Sequence, residues 1–293
     1  MNIYSPEQPI SLSQTASFQG ELFVKRDDLI HPFVSGNKWR KLKHYLHLAK
    51  DRDLHHLVTF GGPWSNHLLA SACAGAIHGL KTTGVVRGEP VNNPVLTMCQ
   101  LYGMRLMFIS RSEYREKEAY FQNNFNTDEA LFINEGGSGE EGLVGCREII
   151  NELNQPYDHI ICAAGTGTTA AGILSQLIAN KQDTQLHVIP VLKGKGYMEK
   201  EIRRLLKSDS KQLKIHEEYH FGGYAKSTKE LLDFIASFCQ QTGILIEPVY
   251  TGKAFYAAVD LMNKGAFSPK SKVLLLHTGG LTGILGKYQE FTF

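Results

Sequence analysis

An α/β fold built on parallel sheets is the class this sequence predicts, on three observations. Short apolar runs alternate with segments of helical period. Several runs end in glycine-rich turns that lead directly into a helix. No long linker, low-complexity stretch or internal repeat interrupts the series. With 293 residues the chain exceeds what one typical core holds, so one large or two interlocked domains are expected.

The strand candidates are Leu22–Lys25, Leu57–Phe60, Thr83–Val86, Leu106–Ile109, His159–Ala163, Leu186–Val191 and Val273–His277. Each is a short apolar run bounded by turn or polar residues. Between them lie amphipathic stretches such as Asn66–Ile77, Glu140–Leu153, Thr168–Ile178, Lys229–Cys239 and Lys253–Asn263. Strand, helix, strand in repetition requires right-handed crossovers. Parallel sheets of this kind bind ligands at the carboxyl ends of their strands.

Composition narrows the function classes. Hydrophobic residues make up 42% and charged residues 20%, and the formal net charge is +2. That balance gives no extended footprint for nucleic acid or a membrane surface, while leaving room for a local basic pocket. The five cysteines, Cys73, Cys99, Cys146, Cys162 and Cys239, are odd in number and never C-x-x-C. A disulfide framework or cysteine-type zinc site is therefore not expected, and a reducing compartment is. No basic stretch followed by an apolar core opens the chain, and no apolar run approaches the ~20 residues of a membrane helix. A cytoplasmic protein is expected.

Three strand-to-helix turns draw attention. In TFGGPWSNHLLASACAGA, Ser65, Asn66 and His67 stand where a helix begins, as caps or as part of an anion site. In IICAAGTGTTAAGIL, Gly165, Thr166, Gly167, Thr168 and Thr169 supply backbone N–H groups and hydroxyls suited to a phosphate. The run is neither a Walker A loop nor a G-x-G-x-x-G fingerprint. In VLLLHTGGLTGILG, Thr278 follows a strand and either caps the next helix or meets a ligand. Together the three suggest one small phosphorylated ligand, a nucleotide or a cofactor.

The cation-rich stretch SGNKWRKLKHYL sharpens this. On a wheel at roughly 100° per residue, Trp39, Leu42, Tyr45, Leu46 and Ala49 share an apolar arc. Arg40, Lys43, His44, His47 and Lys50 fall opposite, and are expected to be solvated. Lys38 lies within the apolar arc and Lys41 at its edge. A desolvated lysine has a lowered pKa and can serve as nucleophile or Schiff-base former. The alternative is a side chain that snorkels to solvent from the first turn.

Taken together, the motifs resemble a known family. Lys25-Arg26-Asp27-Asp28 followed by Gly36-Asn37-Lys38-x-Arg40-Lys41-Leu42 resembles the cofactor-lysine region of the D-cysteine desulfhydrase and 1-aminocyclopropane-1-carboxylate (ACC) deaminase family. Ser65-Asn66-His67, Gly165–Thr169, Pro248-Val249-Tyr250-Thr251-Gly252-Lys253 and His277-Thr278-Gly279-Gly280 match in the same order, so the resemblance spans about residues 20 to 287. It implies the tryptophan synthase β-subunit-like fold (fold type II): two open parallel-sheet α/β domains. Residues 1–50 and 147–293 would form the larger, residues 51–146 the smaller, with pyridoxal 5'-phosphate (PLP) in the cleft.

The resemblance also implies roles. Lys38 would form the internal aldimine and later shuttle the substrate's α-proton. Gly165, Thr166, Gly167, Thr168 and Thr169 would hold the phosphate with help from Lys41. Asn66 would meet the ring's phenolic oxygen, Ser65 and His67 the substrate carboxylate. Tyr224, from Phe221-Gly222-Gly223-Tyr224, and Tyr250 would flank ring and substrate, and Thr278 would face the pyridine nitrogen. A neutral hydroxyl there tempers the electron sink, which suits α,β-elimination more than racemisation or transamination. Where ACC deaminases carry an acidic residue, this chain has Thr251, as the desulfhydrase branch does. Few residues precede Lys25 for a member of this family, which bears on pocket closure and dimer contacts. The implied activity is PLP-dependent elimination on a small amino acid, favouring D-cysteine, in a homodimer; ACC deamination is the alternative.

Two further classes compete. His216-Glu217-Glu218-Tyr219-His220 matches H-E-x-x-H, a zinc hydrolase signature that needs a helix to bring both histidines to one face. Here Gly222-Gly223 breaks any helix just beyond it. A non-catalytic binder that keeps the fold is the other; the presence of Lys38, Tyr224 and Tyr250 argues against it.

Overall fold

The computed structural model describes residues 3–15 and 17–292. In chain order the regular elements are β1 (Glu7–Ile10), β2 (Glu21–Lys25), α1 (Asn37–Asp51), β3 (His56–Gly61), α2 (Asn66–His78), β4 (Lys81–Arg87), α3 (Pro94–Leu101), β5 (Arg105–Ile109), α4 (Lys117–Asn124), β6 (Ala130–Ile133) and α5 (Glu140–Asn151). The series continues with β7 (His159–Ala164), α6 (Thr168–Ala179), β8 (Gln185–Pro190), α7 (Tyr197–Leu206), β9 (Leu213–Ile215), α8 (Lys229–Thr242), α9 (Thr251–Asn263) and β10 (Lys272–Leu276). The chain divides into two compact units, Met1–Ile30 with Cys146–Phe293, and His31–Gly145.

The first unit holds a six-stranded sheet in the order β1-β2-β10-β7-β8-β9. Every pairing is parallel except β1 with β2. That antiparallel edge departs from the all-parallel expectation. Its four residues, EQPI, contain a proline that an edge strand tolerates because one side needs no ladder donor. The core combines sheet residues Val24, Ile161, Ile189, Val273 and Leu275 with Phe238 and Phe255 from the helices.

The second unit holds a four-stranded parallel sheet, β5-β4-β3-β6. Both faces are covered, which is why Thr82 to Val86 of β4 are buried without alternation. Leu68, Leu69, Val86 and Leu96 pack on one side; Val58, Phe60, Val85 and Phe121 pack on the other. This division differs from the expected boundary over residues 31–50. Helix α1 belongs with this unit because the Tyr45 hydroxyl donates to Ser138 O at 3.0 Å and Lys41 Nζ to Gly136 O at 3.0 Å.

Helix α1 also corrects the wheel. Arg40, expected in solvent, is 0% exposed, and Lys43 and His44 are half-buried. The cause is the close approach of α5: a Cβ on Gly145 would lie 1.8 Å from the Arg40 carbonyl oxygen. Only a glycine permits that contact, and it covers the face the wheel assigned to water.

The H-E-x-x-H stretch forms a 3-10 turn, Glu217–His220, followed by left-handed Phe221. His216 Nε2 lies 2.9 Å from His187 Nδ1, whereas His220 Nδ1 accepts from the Gly222 N–H. The two histidines do not converge, and among the described residues no cluster is placed to hold a metal ion. The zinc alternative has no support. Also among the described residues, no helix is long and apolar enough to cross a membrane.

His216 belongs instead to a row of three imidazoles, stacked on His187, which meets His159 edge-on. His187 Nε2 lies 3.1 Å from His159 Nδ1, so β7, β8 and the end of β9 are linked through side chains. Burial, and then the charges of His216, His159 and Lys214, push the His187 pKa down to about 3. An unfolded histidine titrates near 6.5. The unfolded chain therefore binds the proton first, and stability falls as pH drops from about 6.5 toward 3. By pH 5 this one group is expected to cost about 2 kcal/mol, read as a lower urea midpoint. His187→Phe should flatten that pH dependence; an unchanged slope would remove His187 from the account.

Candidate functional site

Within the second unit, candidate residues gather where β3 and β6 end. Ser65 caps α2, its Oγ accepting from the Leu68 N–H at 3.3 Å. Asn66 is the first residue of that helix. Both are half-buried. His67, one residue deeper, is 1% exposed.

His67 is held in one tautomer. Thr59 Oγ1 donates to Ile133 O at 2.9 Å, so it must accept from His67 Nε2, 2.8 Å away. The proton is therefore on Nε2, and Nδ1 is a buried lone pair with no hydrogen-bond partner. Burial first, then the positive charges of Lys38 and Lys41, hold the ring well below its ordinary pKa. His67 is thus a neutral imidazole with its N–H turned into the sheet.

Lys38 and Lys41 stand on the first turns of α1 and differ in setting. Lys38 is half-buried, and its Nζ donates to Asn37 Oδ1 at 2.9 Å. Lys41 is buried and tied to the Gly136 carbonyl. Gly137 makes this crowding possible. Its φ is +67°, and a Cβ there would come within 3.2 Å of Lys41 Cβ and 3.4 Å of His67 Cε1. The fold thus brings Lys41 and His67 together on one glycine.

Within the first unit, the Gly165–Thr169 turn joins β7 to α6. Gly167 is the N-cap of α6 and brings no side chain to it, so the positive end of the helix faces the turn. Thr166 and Thr168 pair their hydroxyls at 3.1 Å. The Tyr250 ring lies over Gly165, 3.3 Å from where a Cβ would stand, and Tyr224 packs edge-on against Tyr250 with centroids 6.1 Å apart.

Thr278 follows β10 in a turn fixed by its neighbour. His277 Nε2 donates to Leu245 O at 2.7 Å, leaving Nδ1 to accept from the Gly279 N–H. Burial lowers the His277 pKa, with Asp28 opposing, so a neutral ring locks the turn. Among the described residues none hydrogen-bonds the Thr278 hydroxyl.

The Thr251 hydroxyl is engaged within the protein. Fully buried, it accepts from the Glu247 N–H at 3.0 Å and donates to Glu247 Oε1. Glu247 also accepts from the N–H groups of Val249, Tyr250 and Thr251, capping α9. Sequence reasoning missed this buried carboxylate, and the Pro248 that follows it was the available signal. It missed Lys253 too, whose pKa burial lowers to about 8, against the pull of Glu247. Its Nζ donates to His220 O at 2.9 Å and Gly223 O at 2.8 Å, anchoring the loop that carries Tyr224.

The family model described as pyridoxal-phosphate dependent enzyme matches residues 7–279. A Pyrococcus horikoshii protein provisionally named 1-aminocyclopropane-1-carboxylate deaminase is 31% identical, covering 90% of this chain and 85% of its own. An Arabidopsis thaliana protein named bifunctional D-cysteine desulfhydrase/1-aminocyclopropane-1-carboxylate deaminase is 30% identical, covering 92% of this chain and 75% of its own. The crystal structure of an ACC deaminase homologue superposes with a TM-score of 0.86 at 27% identity, over 99% of this chain and 93% of the other.

His67 is expected to stay neutral and Nε2-protonated where an ordinary histidine would titrate, near 6.5, read by 15N NMR of labelled histidine. Thr59→Val removes the acceptor and should shift the ring toward the Nδ1 tautomer. A His67 that titrates near 6.5 in the native protein would contradict the assignment.

Proposed function

The chain belongs to the pyridoxal-phosphate dependent enzyme family, and we propose that it is a lyase eliminating the β-substituent of a small amino acid, with D-cysteine favoured. The residues present fit the cofactor. Lys38 is a half-buried lysine near a neutral histidine, a glycine-capped helix offers its positive end to a phosphate, and among the described residues none hydrogen-bonds the Thr278 hydroxyl.

PLP supplies the electron sink that makes the α-proton of an amino acid acidic. The protein's side chains do the rest. Lys38 Nζ would hold the cofactor's aldehyde end and carry the substrate's α-proton. Neutral His67 adds no charge near it, so the amine has no nearby imidazolium to repel. Gly165, Thr166, Gly167, Thr168 and Thr169 would bind the phosphate, with Lys41 as a supporting cation. Ser65 and Asn66 would orient the substrate, with Tyr224 and Tyr250 beside it. With cysteine and water as reactants, the products are pyruvate, ammonia and hydrogen sulfide.

Lys38 is the observation that carries this reading. Lys41 is buried with its Nζ on the Gly136 carbonyl, whereas Lys38 is half-buried with its Nζ on the side-chain oxygen of Asn37. D-Cysteine is favoured over ACC because no acidic residue follows Tyr250, and the Thr251 hydroxyl is occupied with Glu247. ACC deamination is the second reading, supported by the names of the relatives.

Lys38→Ala is expected to abolish the visible absorption of the PLP-loaded protein and lower turnover about a thousandfold. Lys41→Ala should keep the absorption but weaken PLP retention about tenfold, the worth of one charge-assisted hydrogen bond. Equal, mild effects would remove the distinction. A panel of D-cysteine, L-cysteine, D-serine and ACC, scored for sulfide and 2-oxo acid, should show D-cysteine turned over fastest.

A further inference from the structure

The second unit carries a basic cavity that none of the roles above uses. It measures about 430 Å³ and is lined by Arg87, Arg111, Tyr114, Arg115, Lys117 and Glu135. The volume suits a small ligand. Four cations face one carboxylate, leaving three positive charges uncompensated. Tyr114 forms a buried floor, with the Arg87 guanidinium 5.4 Å and Lys117 Nζ 4.7 Å from its ring centre.

Its construction is specific. Arg87 is the last residue of β4, Arg111 lies two residues beyond β5, and Glu135 two beyond β6, so the cavity sits at the ligand-binding edge of a parallel sheet. A reciprocal cap shapes the rim: Glu113 Oε2 accepts from the Ser110 N–H at 2.9 Å, and Ser110 Oγ accepts from the Glu113 N–H at 3.3 Å. That cap holds Glu113 on Ser110. Lys117 alone has an acidic partner, Glu135 at 3.7 Å. Among the described residues, no carboxylate pairs with the guanidinium of Arg87, Arg111 or Arg115. Like charges converge this way at a cost that a bound anion removes, and a guanidinium fork matches phosphate or carboxylate oxygens in pairs.

We propose that this cavity is a binding site for a small dianion, bearing either a phosphate group or two carboxylates. The planar guanidiniums grip its oxygens and Tyr114 supports its body. The site lies wholly within His31–Gly145, and none of its residues is assigned to cofactor or substrate.

Calorimetry on the PLP-saturated protein tests this, with inorganic pyrophosphate and succinate as probes at constant ionic strength. Saturation with PLP fills the cofactor's own phosphate site, so pyrophosphate reports on the second one. Saturable 1:1 binding is expected for at least one probe, weakened about tenfold or more by Arg111→Gln and by Arg115→Gln. Both arginines are exposed, so the unliganded melting temperature should not move. Tighter pyrophosphate identifies a phosphate-bearing ligand, tighter succinate a dicarboxylate. No saturable binding, equal affinity in both variants, or the same heat from added chloride would overturn the proposal. The readout does not depend on turnover, so it stands or falls separately from the elimination reaction.

Discussion

Parallel strand pairing is the constraint on which the rest of this structure depends. Each strand of the four-stranded sheet runs the same way, so each connection must cross back through a helix, and the strand carboxyl ends collect along one edge. Ser65 to His67 follow β3, Arg87 ends β4, and Gly136 and Gly137 follow β6. The six-stranded sheet obeys the same rule from β2 to β9: Gly165 to Thr169 follow β7, and Thr278 follows β10. Backbone direction thus decides where polar chemistry gathers in each unit.

Polar groups behind these edges are buried, and each is kept tolerable by a particular device. His67 and His277 stay neutral, each with a carbonyl or hydroxyl oxygen taking its single N–H. Glu247 is satisfied by three backbone N–H groups and the Thr251 hydroxyl, offsetting a desolvation that pushes its pKa up. Lys253 divides its donors between two carbonyls. Buried polar groups partnered in these ways rigidify what they touch. The turns bearing Tyr224, Tyr250 and Thr278 are therefore held by the buried side chains of Lys253, Glu247 and His277.

Strands with strong apolar runs were legible in the sequence to within a residue or two, because both faces of a parallel strand are buried. β1, β6 and β9 were not, since EQPI, ALFI and LKI are too short for a period to register. The positions of Ser65 and the Gly165–Thr169 turn followed from local signals, a cap and a strand-to-helix glycine run. Arg40 defeated the wheel because its burial comes from Gly145, over one hundred residues later in the sequence. The tautomer of His67 depends on Thr59 and Ile133, on two neighbouring strands, and no local pattern encodes that. Thr251 looked like a substrate contact by position, yet its partner is a carboxylate hidden before a proline.

Two lysines compete physically for the role given to Lys38. Lys253 has the lowered pKa that a carbonyl-reactive amine needs, but it is fully buried and both its contacts point inward. Lys38 is only half-buried and has a neutral histidine for a neighbour. The decisive measurement is reduction of the PLP-loaded protein with borohydride, followed by mass spectrometric mapping of the pyridoxyl-labelled peptide. The account predicts the label on Lys38, at one equivalent per chain. A label on Lys253 or Lys41, or no label with the protein saturated in PLP, would contradict it.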